Sequence, residues 1–97
     1  MTGPSAPSSL SPAAAAVWDE IVAEHPEGRA PVGPEFEAYC VQVARMRDAR
    51  ARIDKEGLIV ADEKGRPVAH PAAAIEKAAG AEVRAWGDKF RARRRRD

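Results

Sequence analysis

The stretch that decides the fold is Gly57-Leu58-Ile59-Val60-Ala61-Asp62-Glu63-Lys64-Gly65-Arg66-Pro67-Val68-Ala69-His70-Pro71. Leu58, Ile59 and Val60 favour extended backbone, and Asp62 to Gly65 reads as a turn ending in the residue that best tolerates positive φ. Arg66-Pro67-Val68 leads out of the turn, and Pro67 confines its strand to an edge because it cannot donate to a ladder. The stretch therefore predicts a short two-stranded tongue over residues 57–70. Pro71 opens a helix beyond it, since proline suits the first helical position, where an N–H has no partner. The residue before a proline is pushed out of helical dihedrals, so His70 marks a sharp boundary.

Both flanks are helical. Pro34 starts the upstream helix, with Glu35 and Glu37 at its positive end. At 100° per residue Phe36, Tyr39, Cys40, Val43, Met46 and Ile53 share one stripe, and Gly57 takes the position after the helix. Arg50 falls inside the same stripe, where a guanidinium needs a carboxylate or must snorkel to water, and it is read as snorkelled or paired between subunits. Downstream, Ile75, Ala79, Val83, Trp86 and Phe90 recur at helical steps and predict a single apolar seam. Gly80 and Gly87 each cost that helix about 1 kcal/mol relative to alanine, so a bend or a close contact is expected there.

Further upstream, Ser11 reads as an N-cap followed by Pro12, opening a helix that runs to about Glu24. Val17, Trp18, Ile21 and Val22 lie on one face of it, with Trp18 as the anchor. His25-Pro26 ends it, and His25 is placed to interact with the negative end of the helix dipole. Residues 27–33 form a linker loop rich in glycine and proline. Residues 1–10, rich in proline, serine and alanine, are expected to be a disordered arm.

A chain of 97 residues with 44% hydrophobic and 5% aromatic side chains is one domain with few large apolar groups. Its thin stability margin favours association with further copies. No run approaches the ~18 apolar residues of a membrane helix, and the N-terminus lacks the basic and apolar regions of a signal peptide. The single Cys40 sits in the apolar stripe as a packed thiol, which suits a reducing compartment.

A net charge of +1 conceals an asymmetry: residues 1–44 carry six acids and one base, and residues 45–97 carry nine acids and fifteen bases. A basic half of this kind favours polyanions. Lys77, Arg84, Arg91 and Arg95 are spaced along the back of the third helix, and Arg93, Arg94 and Arg96 complete an arginine run. Arginine holds phosphate through planar, bidentate contacts at any physiological pH, and contacts of this kind are salt-sensitive and largely independent of sequence. Cations at a helix C-terminus also serve its dipole, but five arginines within residues 91–96 exceed what capping requires. Arg45 and Arg52 lie opposite the apolar stripe of their helix, either solvated or facing phosphate.

Catalytic patterns are missing. There is no phosphate-binding loop, nucleophile elbow, zinc-protease motif or cysteine pair, and His25 and His70 stand 45 residues apart. The residues predict a protein that is not an enzyme and has neither cofactor nor metal.

Taken in order, the Trp18-Ile21-Val22 helix, Phe36-Glu37-Ala38-Tyr39-Cys40, Gly57-Leu58-Ile59-Val60, Gly65 and Pro67-Val68-Ala69-His70-Pro71-Ala72 resemble phage small terminase subunits over roughly residues 10–90. The resemblance implies a non-catalytic component of a genome-packaging motor in the host cytoplasm. It also implies a ring of identical subunits that binds viral double-stranded DNA and presents it to the large terminase, an ATPase-nuclease. One departure stands out: where the family usually continues with Gly-Leu-Thr-Pro and a terminal extension, Lys89-Phe90 runs straight into Arg91-Ala92-Arg93-Arg94.

The expected fold is mainly α: an N-terminal helix, then a helical hairpin whose long helices are joined by the β-tongue, assembled as an oligomeric ring. Residues 11–90 form the domain and 91–97 a polyarginine tail. Trp18, Phe36, Tyr39, Arg50, Trp86 and Phe90 are the candidate packing and oligomer contacts, with Trp18 or Trp86 offered to a neighbouring copy. Two rival readings fit the same residues: a small dimeric DNA-binding transcriptional regulator, and an adaptor whose basic tail holds an acidic protein.

Overall fold

Ser11 opens the first helix as the sequence predicts: its hydroxyl accepts from the Ala14 N–H at 3.2 Å, and α1 runs Pro12–Glu24. In this computed structural model, which describes residues 4–26 and 28–92, the remaining elements are α2 Pro34–Glu56, β1 Ile59–Ala61, β2 Pro67–Ala69 and α3 Ala72–Phe90. α2 and α3 pack along each other as an antiparallel hairpin, and α1 packs on α2.

Gly57 ends α2 with φ +92° while its N–H still reaches the Ile53 carbonyl at 2.7 Å. A side chain there would be strained, so this glycine sets where the helix stops. The tongue is antiparallel, pairing Ile59 with Ala69, Val60 with Val68 and Ala61 with Pro67. Asp62 builds its turn. One carboxylate oxygen accepts from the Lys64 and Arg66 amides at 2.8 and 2.9 Å, and the other accepts from Arg66 Nε at 3.0 Å. These amides, Arg66 first, hold the Asp62 carboxyl below its ordinary pKa. Gly65 closes the turn at φ +79°.

The core is a cluster of aromatic and branched side chains. Trp18 lies 4.5 Å from Phe36 between ring centroids, Phe36 lies 5.5 Å from Phe90, and Tyr39 lies 5.2 Å from Phe90. Ile21, Phe36 and Cys40 are fully buried, with Val17 and Val43 nearly so. Burial pushes the Cys40 thiol up to about 11, as expected for a packed cysteine. Residues 4–10, anticipated as part of a disordered arm, lie against α1. Trp18 Nε1 donates to the Pro4 carbonyl at 2.9 Å, and Ala6 and Leu10 pack on the core.

Four expectations are corrected. Pro71 is the residue before α3 and not its first, so the helix starts at Ala72. Arg50 lies outside the packed stripe of α2: Ala49 is the buried position, while Arg50 is exposed and bonded to Glu76 of α3 at 2.8 Å. The α3 seam holds only in part. Ala79 and Phe90 are buried and Val83 packs against the core as expected, but Ile75 and Trp86 are 52% and 43% exposed, and Ala72 and Gly80 are buried as well. Gly80 and Gly87 make the close contacts with α2 expected of them: a Cβ on Gly80 would stand 3.7 Å from Met46 Sδ, and one on Gly87 would stand 3.6 Å from the Tyr39 hydroxyl. Finally, Trp18 is 3% exposed and has nothing left to offer a neighbouring copy.

Candidate nucleic-acid interface

The basic side chains divide into two groups. Five arginines are engaged with the chain's own carboxylates. Arg47 forms a bidentate pair with Glu20 at 2.8 and 2.9 Å, and Arg50 meets Glu76. Arg52 meets Asp48 one turn back on α2 at 3.0 Å, and Arg66 meets Asp62 in the tongue. Arg91 grips Glu24 through Nε at 3.0 Å and through Nη2, and also lies 3.6 Å from Glu20. The hydrogen bond from Arg47 holds the Glu20 carboxyl below its ordinary pKa, and that from Arg91 does the same for Glu24. Reciprocally, Glu24 holds the Arg91 guanidinium still more firmly protonated.

The second group is exposed and has no ion pair among the described residues. Arg45 on the outer side of α2 belongs to it, as do Lys77 and Arg84 on α3, with Arg29, Lys55, Lys64 and Lys89 scattered elsewhere. Lys77 and Arg84 are seven residues apart, so they share one face about 10 Å apart along the axis. That is the start of the basic line anticipated from the sequence. The line changes direction at its third member. Arg91 follows the last residue of α3 with extended backbone and turns to α1. Arg93, Arg94, Arg95 and Arg96 lie outside the described residues.

Arg45 borders a shallow cleft with Leu10, Val41 and Asp48. A second cleft of about 210 Å³ opens between α2 and α3, lined by Glu35, Ala38, Tyr39, Gln42, Glu82 and Trp86. Phe36, Tyr39 and Phe90, named from the sequence as packing residues, sit in the chain's own core, leaving Trp86 as the partly open aromatic. Among the described residues no cluster of histidine, cysteine and carboxylate side chains could hold a metal. No helix there is long and apolar enough to cross a membrane.

Sequence reasoning missed the acidic side of this arrangement. Glu20 and Glu24 are one turn apart on the exposed face of α1, a spacing visible in the sequence. Their partners Arg47 and Arg91 lie 27 and 67 residues away and could be found only by folding the chain.

The family model described as "Phage terminase, small subunit" matches residues 14–91, most of the chain. No curated protein and no solved structure matches.

Proposed function

This chain belongs to the phage terminase small-subunit family, and on that premise we propose that it binds viral duplex DNA and presents it to the large terminase. Membership gives it a role in phage DNA packaging, in a family that is generally the non-catalytic recognition subunit. The observation that carries the finer reading is the face of α3 bearing Lys77 and Arg84. Both are exposed and neither has a carboxylate partner among the described residues, whereas Arg47, Arg50, Arg52, Arg66 and Arg91 are each engaged. Arg45 is another such cation, on α2, and the sequence continues after α3 into the arginine run at 93–96.

A surface of this kind meets phosphate and does not read bases, so a single copy binds weakly. Several copies side by side multiply the contacts and convert weak binding into avidity. The proposed working form is therefore a head-to-tail homo-oligomer closing into a ring.

Fluorescence anisotropy with a labelled duplex across a salt series tests the reading. The logarithm of the affinity should fall linearly with log salt. Lys77→Ala with Arg84→Ala should reduce that slope by about one for each phosphate no longer neutralised. Replacing Arg93 to Arg96 with alanine should reduce it further. Absence of binding at low salt, or an unchanged slope in all of these variants, overturns the assignment.

A further inference from the structure

The cleft between α2 and α3 has a chemistry that the core does not use. The indole of Trp86, 43% exposed, lines it together with Tyr39. Glu35, in the first turn of α2, and Glu82 supply two carboxylates with no ion pair among the described residues. An aromatic face beside free carboxylates suits a guanidinium, which can stack on the ring while donating in its own plane. Lys89 already places its Nζ 5.3 Å from the Trp86 centroid, so the ring stands where cations gather; it does not itself line the cleft.

We propose that the arginine run Arg93–Arg96 of a second copy docks in the cleft of Trp86, Glu35 and Glu82, the two carboxylates holding two of its four guanidiniums and leaving the others to phosphate. This rests on the self-assembly reading above and names the contact that would join neighbours. Charge complementarity supports it, because residues 1–44 carry an excess of five acids and residues 84–97 an excess of five bases. The clasp at the end of α3 gives the direction. Arg91 and the Ala92 amide both bind Glu24, which turns the chain end toward α1, and no α1 residue lines the cleft. The described chain thus ends at Ala92 beside α1, which contributes nothing to the cleft, and a head-to-tail contact would offer the arginine run of one copy to the cleft of the next.

Sedimentation velocity on the full chain over a concentration series provides the first test. Glu35→Gln with Glu82→Gln, Trp86→Ala, and alanine at 93–96 should each raise the concentration for half-assembly by about five- to tenfold. Combining cleft and tail changes should add little, since both remove one interaction. Circular dichroism should stay unchanged, because Glu35, Glu82 and Trp86 are not among the buried core residues. The second test mixes isotopically heavy and light copies carrying Arg94→Lys and joins amine to carboxylate with a carbodiimide. Heavy-to-light cross-links ending on Glu35 or Glu82 are expected.

Cross-links confined to single copies would mean that the chain's own tail fills the cleft, and would overturn the inter-copy contact. If the wild type assembles and the cleft variants assemble equally well, the contact fails while self-assembly stands. A wild type that stays monomeric at every concentration overturns both.

Discussion

Arg91 and Glu24 join the ends of the first and last helices: one guanidinium grips the carboxylate through Nε and Nη2, and the next amide, of Ala92, donates to the same group at 3.3 Å. Glu20, one turn earlier on α1, is within 3.6 Å of Arg91 while it holds Arg47. Two carboxylates and two arginines therefore tie α1 to both members of the hairpin. Both glutamate pKa values are depressed, so their contribution is present above the ordinary glutamate value of 4.5 and lost as pH falls through the folded values. Thermal melts should show stability dropping below that value, and Arg91→Ala should flatten the drop. At neutral pH the same change should cost about 0.5–1 kcal/mol, with the difference shrinking in high salt.

Two aromatics of the hairpin should behave very differently. Phe36 is fully buried between Trp18 and Phe90, and Phe36→Ala should cost about 3–5 kcal/mol in chemical denaturation. Trp86→Ala should cost well under half of that, because the indole is half in solvent. Equal losses would place Trp86 in the core.

Gly80 is a place where the protein can be improved. A methyl there would meet Met46 Sδ at 3.7 Å and the flexible end of Arg84 at 3.4 Å, both tolerable. Gly80→Ala should therefore raise stability by roughly 0.5–1 kcal/mol through helix propensity. Gly80→Leu should lower it, since a larger group must push α3 off α2. A denaturation midpoint for each variant decides the matter.

His70 is buried although polar, and both ring nitrogens are used. Nδ1 accepts from the Ala72 amide at 2.9 Å, so Nε2 carries the proton directed at Glu56 Oε1, 2.6 Å away. Its own N–H reaches the Leu58 carbonyl at 2.6 Å. One residue thus links the end of α2 and the start of α3 through its ring, and the root of the tongue through its backbone. His70→Ala should cost about 1–3 kcal/mol by leaving that amide without a partner. His70→Asn should recover part of the loss, because its carbonyl can accept from the same amide. Hydrogen exchange at Ala72 and Ala73 should rise in the alanine variant and less in the asparagine one.

Cys40 should resist alkylation in the native state and react at once in denaturant, because its thiol is buried and pushed up to about 11. The linkage runs opposite to that of the glutamates. A raised value favours the folded protein below the ordinary cysteine value of 9.0 and loses that advantage as pH climbs toward 11. Cys40→Ala should remove this component of the alkaline melt.

The boundaries were legible because they rest on local backbone chemistry. Ser11 needs only its own hydroxyl to cap α1, and Pro34, Gly57 and Gly65 each act through their own φ. Which face of α3 turns inward was legible in part: Ala79, Val83, Phe90 and the close contacts at Gly80 and Gly87 lie where the spacing puts them. Ile75 and Trp86 do not, because periodicity ranks them above small residues, yet Ala72 and Gly80 take buried positions and those two side chains stay partly in solvent. Arg50 was misplaced for a related reason: Ala49, one step around the helix, takes the buried site. On the candidate interface, exposure of Arg45, Lys77 and Arg84 could be read from helical phase. The capture of Arg91 could not, since Glu24 lies 67 residues earlier.

The tongue carries Leu58, Ile59 and Val68 into solvent while His70, at its root, holds Leu58 through its backbone and α2 and α3 through its ring. Mechanically it is a lever that pivots on one residue. A load applied near Gly65 should arrive first at His70 and then at the opening turn of α3, leaving the rings around Phe36 undisturbed. Whatever seizes the tip of this limb gains a handle on the helix that bears Lys77 and Arg84.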